Sequence, residues 1–135
     1  MAKFTKEDLE NDFVRRCKVF TVPSGKDVKI RNLKQSEYRK FRAGNYHSDG
    51  EPNVDRLKFV NELLASWMLV NYDDEKRMLT EEEVMAGAFD QLNAADVESI
   101  TDQAKVWLGL SDTITSLEDA VKNSEGTLNE ESTEE

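Results

Sequence analysis

Hydrophobic and polar positions along the chain change period several times, and each change marks an element. From Cys17 the period is two: Cys17, Val19 and Thr21 alternate with Lys18, Phe20 and Val22, and Val28 and Ile30 alternate with Lys29 and Arg31. Pro23-Ser24-Gly25-Lys26 lies between them, with Pro presetting φ and Gly supplying positive φ, so residues 17–31 are expected to form a β-hairpin. After Leu33 the period becomes helical, with Tyr38 and Phe41 three apart and no breaker before Gly44. Gly44 to Pro52 is rich in turn formers and reads as a loop.

Asn53 then caps the strongest apolar segment, predicted as one helix from Val54 to Tyr72. At 100° per residue, Leu57, Val60, Leu64, Trp67 and Met68 make one stripe, and Phe59, Leu63 and Val70 a second beside it. Asp55, Lys58, Glu62 and Ser66 fall on the expected wet side. Thr80-Glu81-Glu82-Glu83 has the spacing of a capping box, and its acids complement the positive end of a helix dipole. Val84, Ala88 and Phe89 are assigned to that short helix. Asn93 and Asp96 open the next one, with Val97, Ile100, Ala104, Trp107 and Leu108 on one stripe and Gly109 as its left-handed terminator. Thr5 and Asp8 have the spacing of a further cap, implying a short N-terminal helix.

Past Leu110 only Ile114, Leu117, Ala120 and Val121 suggest a weak amphipathic segment. From Asn123 the chain is polar and acidic, too poor in apolar groups to offset its ordering entropy. The expected architecture is α+β, predominantly α-helical: an N-terminal hairpin packed on a small helical bundle over residues 1–122, with a disordered acidic tail at 123–135. A two-stranded hairpin is barely stable alone, so it must find partners. The first stripe of the 54–72 helix suffices to anchor it. The second, Phe59, Leu63 and Val70, is therefore the candidate partner-binding surface, unless both stripes are core.

Charge adds an asymmetry. The whole chain carries 18 basic and 28 acidic residues, yet residues 1–60 hold 14 basic and 9 acidic side chains and are net positive. The rest of the chain is strongly acidic. Such blocks are commonly solvating, but they also allow weak head-to-tail self-association. A lone Cys17 makes no internal disulfide, no apolar run is long enough to span a bilayer, and the N-terminus has no signal-like core, so the chain reads as soluble and cytosolic.

Candidate chemistry is sparse. His47 is the one histidine and sits in the 44–52 loop, and Cys17 has no base or second ligand to join it. Gly25-Lys26 lacks the rest of a phosphate loop, and Asp73, Asp74 and Glu75 lack calcium-loop spacing. The expectation is a protein that is not an enzyme and needs no cofactor or metal. Lys26, Lys29, Arg31, Lys34, Arg39, Lys40 and Arg42 form a basic set, but the acidic remainder makes nucleic acid an unlikely partner.

The order of motifs resembles the tail assembly chaperones of long-tailed, siphovirus-type bacteriophages. It is carried by Val19 to Leu33 followed by Glu37-Tyr38, by Val70-Asn71-Tyr72-Asp73, by Leu79 to Val84, by Ala104 to Leu110 and by Val121 to Ser124. The resemblance covers roughly residues 17–124 and rests on loose hydrophobic motifs. It implies a non-enzymatic protein of the host cell cytoplasm. Such a protein binds the tape measure protein, assists polymerisation of the tail tube protein and is absent from the finished virion. It also implies that this chain would be the shorter of two products made by translational frameshifting. Two other classes share the same features: a structural tail or head-tail connector subunit retained in the virion, and a small regulatory adaptor.

Overall fold

The computed structural model describes residues 3–11 and 13–109. The alternating segments become strands β1 (Cys17–Thr21) and β2 (Asp27–Arg31), paired antiparallel with Cys17 opposite Arg31 and Thr21 opposite Asp27. Gly25 takes φ +93° at the turn, a conformation open to glycine at little cost. Phe20, Val28 and Ile30 pack towards the core, while Val19 and Thr21 are exposed.

Six helices complete the described chain: α1 (Lys6–Asn11), α2 (Gln35–Ala43), α3 (Val54–Leu57), α4 (Val60–Met68), α5 (Glu81–Met85) and α6 (Ala94–Leu108). The fold is α+β, as the periodicity predicts. Thr5 N–H donates to Asp8 Oδ2 (2.7 Å) at the start of α1. At α5 the Thr80 and Glu83 side chains exchange the two bonds of a capping box. Gly109 closes α6 at φ +70°.

The expected 54–72 helix is corrected by the structure. It breaks at Lys58–Phe59, where Phe59 sits at φ −112°, ψ 16° outside helical geometry. It ends at Met68, because Leu69 turns extended and starts a third strand, β3 (Leu69–Val70). β3 pairs antiparallel with β2, Ile30 opposite Leu69 and Lys29 opposite Val70, giving the order β1-β2-β3. The physical reason lies in the hairpin, whose outer backbone groups on β2 need partners once Ile30 is buried. The chain then returns through a turn in which Asn71 N–H bonds Lys76 O (2.9 Å) and Val70 bridges to Arg77. The expected α5 is also shorter: Gly87, at φ +99°, ends it before Ala88 and Phe89.

α4 is the centre of the core and packs on α2, α5 and α6. Its Leu63, Leu64 and Met68 join Ile30, Phe41, Leu57, Val84, Phe89 and Ala104 in one buried cluster. Ser66, expected on the wet side, is fully buried; its hydroxyl donates to Leu63 O (2.6 Å). The amphipathic segment expected around Ile114–Val121 and the tail from Asn123 lie outside the described residues.

Candidate functional site

The three residues expected to make a partner surface do not share an exposed face. Phe59 is 38% exposed, but Leu63 is 0% and Val70 1% exposed. Leu63 belongs to the central cluster, and Val70 is held in β3 opposite Lys29. The helical wheel put them together only because it ran uninterrupted through the break at Phe59 and past the end of α4. Leu63 and Val70 are core, and Phe59 alone of the three is exposed.

An apolar surface does exist, and of the three expected residues only Val70 lines it. A groove of about 340 Å³ lies between the β2–β3 edge, the 71–79 turn, the 86–92 turn and the first half of α6. Val22, Val28, Val70, Leu79, Phe89 and Ile100 line it. Tyr72, Met78 and Leu92 stand at its margin, 49%, 44% and 46% exposed. Isolated exposed apolar side chains are ordinary, but three around one apolar cleft make a contiguous patch, the usual mark of an interaction site.

Local sequence explains why the groove is there. β3 has only two residues, so it covers Lys29 and Ile30 and stops short of Asp27. The chain bends away at Asn71, and Glu75 adopts a left-handed φ of 59° to complete the turn. Lys29 fixes the margin: its Nζ lies 4.6 Å from the centre of the Tyr72 ring and donates to Tyr72 O (2.8 Å) and Glu75 Oε2 (3.1 Å). On the far side, Asp96 Oδ1 accepts from Ser24 N–H (3.0 Å), tying the start of α6 to the hairpin turn. Lys26, Asp27 and Asp96 supply charge of both signs at one end.

A part-buried polar network that no period or motif announces joins α2, α3, α4 and α5. Arg56 donates to both Glu81 oxygens (2.8 and 2.6 Å), to Phe41 O (2.8 Å) and to Asn45 Oδ1 (3.1 Å). Trp67 Nε1 donates to Glu81 Oε2 (2.7 Å), and the Arg77 guanidinium lies 4.1 Å from the centre of the Trp67 ring. Arg77 also donates to Ser66 O (2.9 Å), and Arg31 to Trp67 O (3.0 Å). Burial by itself raises the Glu81 pKa, but hydrogen bonds from Arg56 and Trp67 and the charges of Arg56 and Arg77 outweigh it, so Glu81 titrates below the ordinary glutamate range. This network is structural: its bonds tie α2, α3, α4 and α5 together, Asn45 Nδ2 is its one buried group without a partner among the described residues, and none of its residues lines the groove.

The remaining candidates are placed plainly. His47 is exposed in its loop, where its N–H bonds Glu51 O (2.8 Å). Cys17 is half-buried in β1; burial and the neighbouring Glu75 carboxylate push its thiol pKa up, the opposite of an activated nucleophile. Among the described residues no group of three or more His, Cys, Asp or Glu is placed to hold a metal ion, and no helix is long and apolar enough to cross a membrane. No protein-family model matches the chain, and neither a curated protein nor a solved structure matches it.

Proposed function

We propose that this protein is a non-enzymatic binding protein whose apolar groove takes an apolar helical segment of a partner. In keeping with the resemblance in motif order, we propose the role of a tail assembly chaperone that holds the tape measure protein while the tail tube protein polymerises around it. Such a chaperone works in the host cytoplasm and leaves before the virion is complete. The observation that carries the reading is the groove itself. Its walls are apolar and its margin bears an exposed Tyr, Met and Leu. A small-molecule site of similar volume usually adds a few convergent polar groups to orient its ligand. Here Lys26, Asp27 and Asp96 lie by the hairpin turn, Lys29 is engaged by Tyr72 O and Glu75, and the other lining residues are aliphatic, aromatic or Met. Met and aromatic margins suit the apolar face of a helix, whose side chains repeat at i, i+3 and i+4.

The test is co-expression with a candidate tape measure protein. The wild-type chain should keep that protein soluble and co-purify with it. Met78→Asp and Leu92→Asp should reduce capture at least tenfold while leaving the melting temperature within a few degrees, because both side chains are already substantially exposed. Capture unaffected by both changes would refute the groove as the binding surface. Recovery of the protein from purified virions in stoichiometric amounts would instead favour a structural tail subunit.

A further inference from the structure

β1 is the outermost strand of the sheet, and among the described residues no strand pairs with its outer edge. Asn32 N–H donates to Arg16 O (3.0 Å) and Val22 N–H to Lys26 O (2.9 Å). Even-numbered residues from 16 to 22 therefore exchange bonds with β2, and Cys17, Val19 and Thr21 direct their backbone N–H and C=O groups outward. Val19 is 46% exposed at the middle of this edge. Open edges are normally blunted by proline, a bulge or a charge. Cys17–Thr21 has no proline and pairs without a bulge. Its one charge, Lys18, is turned to the α6 side, where Nζ donates to Gln103 Oε1 (2.8 Å).

We propose that β1 pairs antiparallel with β1 of a second copy, about a two-fold axis at Val19, joining the two sheets into one. The register follows from the strand. Only odd-numbered residues present outward backbone, and centring on Val19 uses all three, with Cys17 opposite Thr21 of the second copy and Val19 opposite Val19. That pairing makes about six inter-chain N–H···O bonds. It also sets no like charges against each other, since Lys18 falls opposite Phe20 and the outward side chains are uncharged. An uncharged edge is best matched by an uncharged edge, and the strand supplies its own complement. One strand edge ~17 Å long buries far less than the ~800 Å² per partner of a standard interface, so the dimer is weak and concentration-dependent.

Cross-linking tests the register directly. In a Cys17→Ser background, Val19→Cys sets two thiols on residues whose Cα atoms are ~5.5 Å apart, within disulfide range. Thr21→Cys sets them ~14 Å apart along the strands, out of range. Oxidation at high protein concentration should give a covalent dimer from Val19→Cys and not from Thr21→Cys. Sedimentation equilibrium of the wild-type chain should show a concentration-dependent dimer that persists at high salt. Val19→Lys should be monomeric with an unchanged melting temperature. Equal cross-linking of both cysteine variants, a Val19→Lys dimer, or a wild-type monomer at all concentrations would overturn the proposal. A dimer that dissolves at high salt would overturn it too, and would assign association to the opposite charges of the two halves of the chain.

Discussion

Arg56 illustrates how much of this protein depends on single side chains held at close quarters. Its guanidinium fits beside the C-terminus of α2 because residue 44 is glycine: a Cβ there would lie 2.5 Å from Arg56 Cζ. Gly44 has an ordinary φ of −76°, so close approach, not backbone freedom, is what the position requires. Glu81→Gln should lower stability by about 2 kcal/mol, the order of a charge-assisted hydrogen-bond set, as urea denaturation would measure. Gly44→Ala displaces the same guanidinium, so the double variant should be less destabilised than the sum. The pH dependence has a definite sign. Glu81 and Glu37 both titrate below the ordinary glutamate value of 4.5; for Glu37, burial raises the pKa but the Arg15 and Lys34 hydrogen bonds and the Arg15 and Arg31 charges prevail. A carboxylate depressed on folding contributes stability above its unfolded pKa and loses it as pH falls through its folded one. Stability should therefore hold at neutral pH and decline below about pH 4.5. Glu81→Gln should flatten that decline, and an unchanged acid profile would remove Glu81 from the account. None of this was legible in the sequence. Glu81 to Glu83 has a sufficient explanation in the helix dipole, and the capping box is indeed formed by Thr80 and Glu83. Glu81's second task depends on a partner 25 residues away.

At the scale of elements, legibility divides by length and by interruption. The hairpin was readable because five alternating residues on each side flank a proline-glycine turn, and α6 because its cap, stripe and terminal glycine agree. The 54–72 segment misled because a wheel carries its phase across any break. One non-helical residue at Phe59 and a two-residue strand at Leu69–Val70 are too short to alter a periodic pattern, yet they redirect each side chain that follows. A pair of substitutions measures the consequence. Leu63→Ala should cost about 2–5 kcal/mol, as for a fully buried leucine with no exposed surface to lose. Phe59→Ser should cost markedly less, since its ring is already over a third exposed. Equal losses in thermal or urea melts would mean that Phe59 is packed as deeply as Leu63.

For the whole molecule, the groove is a tertiary product. Its walls come from the hairpin turn, β2, β3, two further turns and α6, each contributing two or three residues, so no contiguous stretch of sequence carries its pattern. Tyr72, Met78 and Leu92 lie in segments whose polar neighbours mark them as turns, and only the fold brings them to one margin. What the sequence did carry was an apolar content concentrated in few helices and a hairpin needing partners, the features on which the proposed binding role rests. The groove lies mainly along β2, β3 and α6, and it meets the outer strand β1 only at Val22 beside the hairpin turn.

Hydrogen–deuterium exchange on the chain with and without the proposed partner, the tape measure protein, tests the central claim most directly, because it reads the binding surface without altering the chain. The account predicts slowed exchange on binding at residues 69–79 and 86–92 and at the first turns of α6, with α2 unchanged. Protection confined to α2 and its basic side chains, with residues 69–79 and 86–92 unaffected, would contradict it.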